Sequence, residues 1–299
     1  MAARISLKQV FRQSVSAWWE DNALRMGASL SFYTLFAIAP VLLVSIAIGG
    51  LVFGAEAVRG ELVGQMDDLV GRDGAEAVQA LLEGASKRQS GVFATIVGTI
   101  TLLLAATGAF LELQAAFNAI WRVKPNPDAN LRAYAAARLR SFGIVVAIGF
   151  LLLVSLVISA ALAALNSWAG RRAPGWPVLL QALNVIVSFF VTTALFALLF
   201  KFLPDVELRW RDVITGALST AVLFTAGKHL IGLYLGQSST ASSYGAAGSV
   251  ILLLLWVYYS SQILLLGAEF TRLYSAAEGE RPRPEAFAER DPDAAAKAT

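Results

Sequence analysis

The chain contains no cysteine. That excludes disulfides, thiolate metal sites and a cysteine nucleophile. It has a single histidine, His229, so the multi-histidine centres of metal nucleases cannot be assembled from it. No cluster of His, Cys and carboxylate residues stands at zinc-ligand spacing, and no G-x-x-x-x-G-K-[ST] phosphate loop occurs. Charge is also scarce. Only 15% of the residues are Asp, Glu, Lys or Arg, against about 25% in a soluble domain. The inventory points away from an enzyme and implies no cofactor and no metal.

Apolar residues fill the gap, at 57% of the chain. They gather into six long runs, near residues 28–53, 92–112, 141–165, 178–202, 213–235 and 248–270. About 20 predominantly apolar residues suffice for a helix to cross the hydrocarbon core of a bilayer. Inside lipid every backbone N–H and C=O must be satisfied internally, which leaves helices or closed barrels. The runs lack the alternation of barrel strands. The expected fold is therefore all-α: a polytopic membrane protein with a six-transmembrane-helix bundle. Residues 28–275 make the transmembrane domain, 1–27 an interfacial segment before it, and 276–299 a tail.

The basic residues orient the bundle, because Lys and Arg concentrate in cytoplasmic segments. With both termini inside, 17 of the 24 basic residues are internal. They are Arg4, Lys8, Arg12 and Arg25, then Arg122, Lys124, Arg132, Arg138 and Arg140, then Lys201, Arg209 and Arg211, and finally Arg272, Arg281, Arg283, Arg290 and Lys297. Six are external: Arg59, Arg72, Lys87, Arg88, Arg171 and Arg172. Lys228 falls within a span. The formal charge of +3 thus reports topology and gives no reason to expect a nucleic-acid partner.

Within the prefix, Leu7, Val10, Phe11, Val15 and Trp18 recur at helical spacing, and Trp18 and Trp19 suit the headgroup layer. Residues 5–25 read as a helix lying on the cytoplasmic face; an ordinary helix packed on the bundle is the alternative. The apolar run that follows is too long for the core of a signal peptide. The only long outer loop, 54–91, reads as a cap of two short amphipathic helices, broken at Gly71-Arg72-Asp73-Gly74. In the inner loops, Pro125 and Pro127 should stop the second helix, and Asp205 or Asp212 could cap the fifth. The tail from 276 is rich in proline, alanine and charge, and should be disordered.

Ionisable residues inside a membrane are costly and are functional candidates by default. Glu112 and Glu269 lie near the cytoplasmic ends of their spans, where they could form an inner gate with Arg25. Lys228 and His229 lie about 16 residues into the fifth run, in the outer part of the bilayer at about 1.5 Å rise per residue. Adjacent helical residues diverge by about 100°, so the pair cannot both face lipid comfortably. Either Lys228 snorkels outward, or one of the two meets an anionic group in a cavity. Pro40 interrupts the first span and should kink it.

Four stretches resemble one family, the YihY / virulence factor BrkB membrane proteins. The first runs Ala28-Ser-Leu-Ser-Phe-Tyr-Thr-Leu-Phe-Ala-Ile-Ala-Pro40. The second is Leu203-Pro204-Asp205 with Trp210-Arg211-Asp212 and Gly216-Ala217. The third is Tyr244-Gly245 and Gly248, then Leu255-Trp256-Val257-Tyr258 and Leu266-Gly267-Ala268-Glu269. The fourth is Asn118-Ala119-Ile120-Trp121. The resemblance covers roughly residues 10–275 and implies a six-helix protein of the bacterial inner membrane. Some members of that family carried the label ribonuclease BN, regarded as a misassignment. Others are linked to serum resistance or to export of a lipopolysaccharide precursor.

Residues and resemblance together lead to the expectation of a non-enzymatic inner-membrane protein that moves a lipid or other amphiphile between leaflets. Its partners would be membrane lipids and an anionic amphiphile. A membrane scaffold without transport is the alternative, and a membrane-bound ribonuclease ranks last.

Overall fold

The structure, a computed structural model, describes residues 6–87, 92–128, 176–237, 248–279 and 282–292. Seven helices occupy most of them: α1 (Leu7–Glu20), α2 (Ala23–Phe53), α3 (Ala55–Lys87), α4 (Val92–Trp121), α5 (Trp176–Phe202), α6 (Trp210–Gln237) and α7 (Gly248–Ala277). Four short strands accompany them: β1 (Val123–Pro125), β2 (Val206–Glu207), β3 (Arg283–Pro284) and β4 (Ala288–Arg290). The expected run at 141–165 lies outside the described residues, as do Tyr244 and Gly245.

Among the described residues, four stretches are long and apolar enough to cross a membrane: Ala23–Ala47, Val178–Phe202, Trp210–Ile231 and Gly248–Ala277. Large apolar side chains stand exposed along them. Phe32 and Phe36 do so on α2, and Val178, Val185, Ile186 and Phe190 on α5. In water such a surface would drive association, whereas in lipid it is the solvated face.

Local chemistry sets the helix ends. Ser6 and Gln9 form a reciprocal cap at the start of α1: the Gln9 N–H donates to Ser6 Oγ (3.3 Å), and the Ser6 N–H donates to Gln9 Oε1 (3.1 Å). This satisfies two of the donors that a helix start leaves open. The helix expected over 5–25 stops at Glu20, because Asn22 takes a left-handed conformation (φ 56°), which asparagine tolerates better than most residues. α2 then begins at Ala23, earlier than the apolar run itself. α2 ends at Gly54, where φ is 86°, a backbone geometry that suits glycine.

The segment expected to form an outer cap of two helices holds one helix, not two. α3 runs through Gly71 and Gly74 without a break. Glycine within a helix costs roughly 1 kcal/mol relative to alanine, which weakens a helix without stopping it.

The fold divides into two compact units. One comprises Met1–Ser14, Asn118–Leu223 and Gly267–Thr299; the other comprises Val15–Phe117 and Phe224–Leu266. The core of the second joins Leu42 and Ile46 of α2 with Val58, Val78 and Leu82 of α3 and Leu253 and Val257 of α7. Glycines let polar side chains approach the helices closely here. The Gln262 amide lies against Gly27, and Tyr259 and Ile263 lie against Gly227.

The first unit holds both strand pairs. β1 runs antiparallel to β4, with Val123 opposite Arg290, Lys124 opposite Glu289 and Pro125 opposite Ala288. β2 runs antiparallel to β3, with Val206 opposite Pro284 and Glu207 opposite Arg283. The tail is therefore ordered over 282–292, contrary to the disorder expected from its composition. Phe287 and Ala288 supply the missing burial, and the turns after α4 and α5 supply backbone partners.

Candidate functional site

The first unit concentrates buried polar groups where α6 and α7 meet. Along α6, Asp212, Gly216 and Thr220 recur every four residues; along α7, so do Gly267, Thr271 and Ser275. Residues four apart on a helix share a face, so each helix presents one stripe. The stripes meet antiparallel in three rungs. Ser275 Oγ donates to Asp212 Oδ2 at 3.0 Å. The Thr271 side chain fills the space over Gly216, and the Thr220 side chain fills the space over Gly267. Each threonine hydroxyl donates to the carbonyl of the glycine one turn earlier on its own helix, at 2.7 Å. That leaves its oxygen turned toward the facing glycine, a close approach that a Cβ would forbid. All six residues are buried.

Besides Asp212, a second carboxylate is buried in this part of the unit. Glu269 is 0% exposed, and its carboxylate accepts from Arg272 Nη2 at 2.6 Å and from Nε at 3.0 Å. The Arg272 side chain keeps 18% of its surface, so the pair runs from a buried anion to a partly solvated cation. A two-bond arginine–carboxylate pair is charge-assisted and directional, and removing a charge so deeply from water is costly unless it is compensated.

A second cluster joins the end of α4 to the turn between α5 and α6. Asn118 Nδ2 donates to Asp205 Oδ2 at 2.7 Å, and the Asp205 N–H donates back to Asn118 Oδ1 at 2.9 Å. The residues lie 87 positions apart in the chain, and both are buried. Beside them Lys201 Nζ donates to the Leu208 carbonyl and lies 5.8 Å from the centre of the Trp210 ring. Pro204 and Trp121 are buried in the same unit.

The sequence candidates fall unevenly on this frame. Glu269 pairs with Arg272 of its own helix, whereas the sequence suggests an inner gate of Glu112 and Glu269 with Arg25. Arg25 is exposed, and Glu112 is half-buried. Lys228 is half-buried and His229 exposed. Lys228 stands one turn beyond Phe224, whose ring meets Trp256 edge-on at 6.4 Å. Of the motif positions, Asn118, Gly216 and Gly267 make the close contacts described above, and Pro40 lies within α2. Sequence reasoning missed Thr220, Thr271, Ser275 and Arg272. The four-residue spacing of small and hydroxyl residues on two consecutive helices was the signal available for the first three.

Long apolar helices, exposed apolar faces and an interior held by small and polar residues define an all-α membrane protein. The virulence factor BrkB family model matches residues 14–291, and the chain belongs to that family. It is 33% identical to a UPF0761 membrane protein of Methylibium petroleiphilum, over 88% of this chain and 60% of that protein. It is 30% identical to one from Rhodospirillum centenum, over 88% of this chain and 56% of the relative. A third, from Verminephrobacter eiseniae, is 31% identical over 84% and 58%. The chain thus spans somewhat under three-fifths to three-fifths of the length of these relatives. No solved structure matches it.

Proposed function

We propose that this is a six-span protein of a bacterial inner membrane, with both termini cytoplasmic, that moves a lipid or other anionic amphiphile between leaflets. The observation that carries the reading is the fully buried Glu269 carboxylate and its pair with the partly solvated Arg272, in a helix long and apolar enough to span. A carboxylate or arginine at the centre of a span costs about 2.5–3.5 kcal/mol on insertion scales and less toward its ends, where this pair lies, so structure alone would still be served at lower cost by leucine at both positions. Lys228 and His229 receive the anionic headgroup from the outer side.

α1 lies in the membrane plane in this reading. Val10, Ser14 and Ala17 are buried, while Leu7, Phe11, Val15 and Trp19 form an exposed line every four residues. Lys8 and Arg12 are exposed beside that line, where basic side chains can reach anionic headgroups. The span α2 starts within three residues of its end, which keeps α1 at the bilayer surface.

Leaflet-specific labelling of a deletion strain tests the function. The wild-type chain should restore the distribution of an anionic lipid or amphiphile, and Lys228→Leu should express normally yet fail to do so. Equal restoration by Lys228→Leu would remove the headgroup role. Orientation has its own test, clean because the chain has no cysteine. A cysteine at Gly84, where a side chain meets open space, should react with an impermeant reagent added to intact cells. One at the exposed Asp128 should not, and the opposite pattern reverses the topology.

The scaffold reading draws on the glycine–threonine rungs, whose close packing suits a rigid helix pair. Ribonuclease activity ranks last, for want of a second histidine or any cysteine.

A further inference from the structure

We propose that residues 282–292 form a releasable clasp across the helix ends of the first unit. After α7 the chain turns at Gly279 (φ 85°) and pairs successively with two separate turns. β3 pairs with β2, between α5 and α6; β4 pairs with β1, directly after α4. One eleven-residue stretch thereby ties the ends of α4, α5, α6 and α7.

The ties are specific. The Glu285 N–H donates to the Asp205 carbonyl at 3.1 Å, so the clasp reaches the residue that Asn118 holds. The Asn126 N–H donates to the Phe287 carbonyl at 2.9 Å, and the Asp291 N–H to the Arg122 carbonyl at 3.0 Å. Arg122 is a non-glycine residue at φ 56°, a conformation that is sterically disfavoured and that this bond helps to hold. Arg290 Nη1 reaches the Trp121 carbonyl at 3.4 Å. Phe287 is buried at the centre of the stretch.

The strands are two and three residues long, and a two-stranded ribbon of that size has marginal stability of its own. The ion pair beside them, Lys124 to Glu289 at 3.4 Å, is 43% and 41% exposed, so it adds little. The α6–α7 rungs, in contrast, are buried side chains set into glycine gaps. When this end of the helices loosens, the clasp yields first and the rungs hold. Of residues 282–292 only Phe287 and Ala288 are buried, and segments largely open to solvent open locally while the core stays closed. If the transport reading holds, release of the clasp is the step that opens the inner end of the path; this consequence rests on that reading.

A reversible lock tests both parts. Lys124 and Glu289 are direct cross-strand partners, and such pairs have Cα atoms about 4.5–5.5 Å apart, within disulfide reach. Lys124→Cys with Glu289→Cys, in the otherwise cysteine-free chain, is compared oxidised and reduced in lipid nanodiscs. In the reduced protein the amides of 283–291 should exchange hydrogen at least tenfold faster than those of the α6–α7 rungs. Oxidation should slow 283–291 and Asp205 at least tenfold while leaving the rungs unchanged. Exchange of 283–291 at the rate of the rungs in the reduced state would overturn the clasp. In proteoliposomes, oxidation should also cut lipid movement at least tenfold, with recovery on reduction. Undiminished movement when oxidised would overturn the gating role. Absence of movement in the wild-type chain would instead overturn the transport reading, and the exchange result would still decide the clasp.

Discussion

Arg272→Ala should be among the most damaging single substitutions in this chain. It takes from the Glu269 carboxylate, 0% exposed, the guanidinium that donates to it twice. Breaking a buried pair by removing one partner costs about 3–5 kcal/mol. The lower part of that range is expected, because the arginine side chain keeps 18% of its surface and solvent shares its charge. Glu269→Gln should cost less, since the amide keeps the shape and the remaining arginine can extend toward the interface. The double substitution Glu269→Gln with Arg272→Ala should recover part of the stability lost by Arg272→Ala alone. Equilibrium unfolding in detergent measures all three. A double variant no more stable than Arg272→Ala would mean that the buried charge is not what costs the energy.

The α6–α7 rungs give the second large effect. A Cβ at Gly216 would fall against the Thr271 hydroxyl and 2.8 Å from its Cβ; at Gly267 it would fall against the Thr220 hydroxyl and 2.8 Å from its Cγ2. Real Cβ atoms do not come so near, and neither threonine side chain is long enough to swing aside. Gly216→Ala and Gly267→Ala should each cost about 1–3 kcal/mol by overpacking. Gly84→Ala is the control: its Cβ meets nothing within 4 Å, so the helix gains up to about 1 kcal/mol from the lost glycine. Combining Gly216→Ala with Thr271→Gly removes the clash from the other side. The pair should therefore be non-additive, as residues in contact are. Strict additivity would show that the helices do not meet in this register.

These contacts mark how far the sequence could be read. The spans of α2, α5, α6 and α7 follow their apolar runs because length and hydropathy alone decide whether a segment can live in lipid. Their ends were less legible. α7 continues past Phe270 to Ala277 because Arg272, Ser275 and Tyr274 still pack or pair, a tertiary property invisible in a hydropathy window. The break expected at Gly71–Gly74 failed because glycine weakens a helix locally, whereas α3 packs its flanks, Val58 at one end and Val78 and Leu82 at the other, into a shared core. Composition suggested a disordered tail, and composition carries no information on pairing with partners as distant as Val123 or Val206. Gly216, Gly267 and Asn118 were visible as motif positions through resemblance. Their reasons, a threonine in one gap and an aspartate 87 residues away, required three dimensions.

In the proposed reading Glu269 bears on both stability and function, and one comparison separates the two. Purified wild-type chain and Glu269→Gln are reconstituted into liposomes carrying a fluorescent anionic phospholipid, and an impermeant quencher added outside reports how fast inner-leaflet lipid becomes reachable. The account predicts rapid, protein-dependent loss of the inner-leaflet signal with the wild-type chain, and a loss slowed at least tenfold with Glu269→Gln, which remains folded by its unfolding curve. A wild-type rate equal to that of protein-free liposomes, or an undiminished rate with Glu269→Gln, would contradict it.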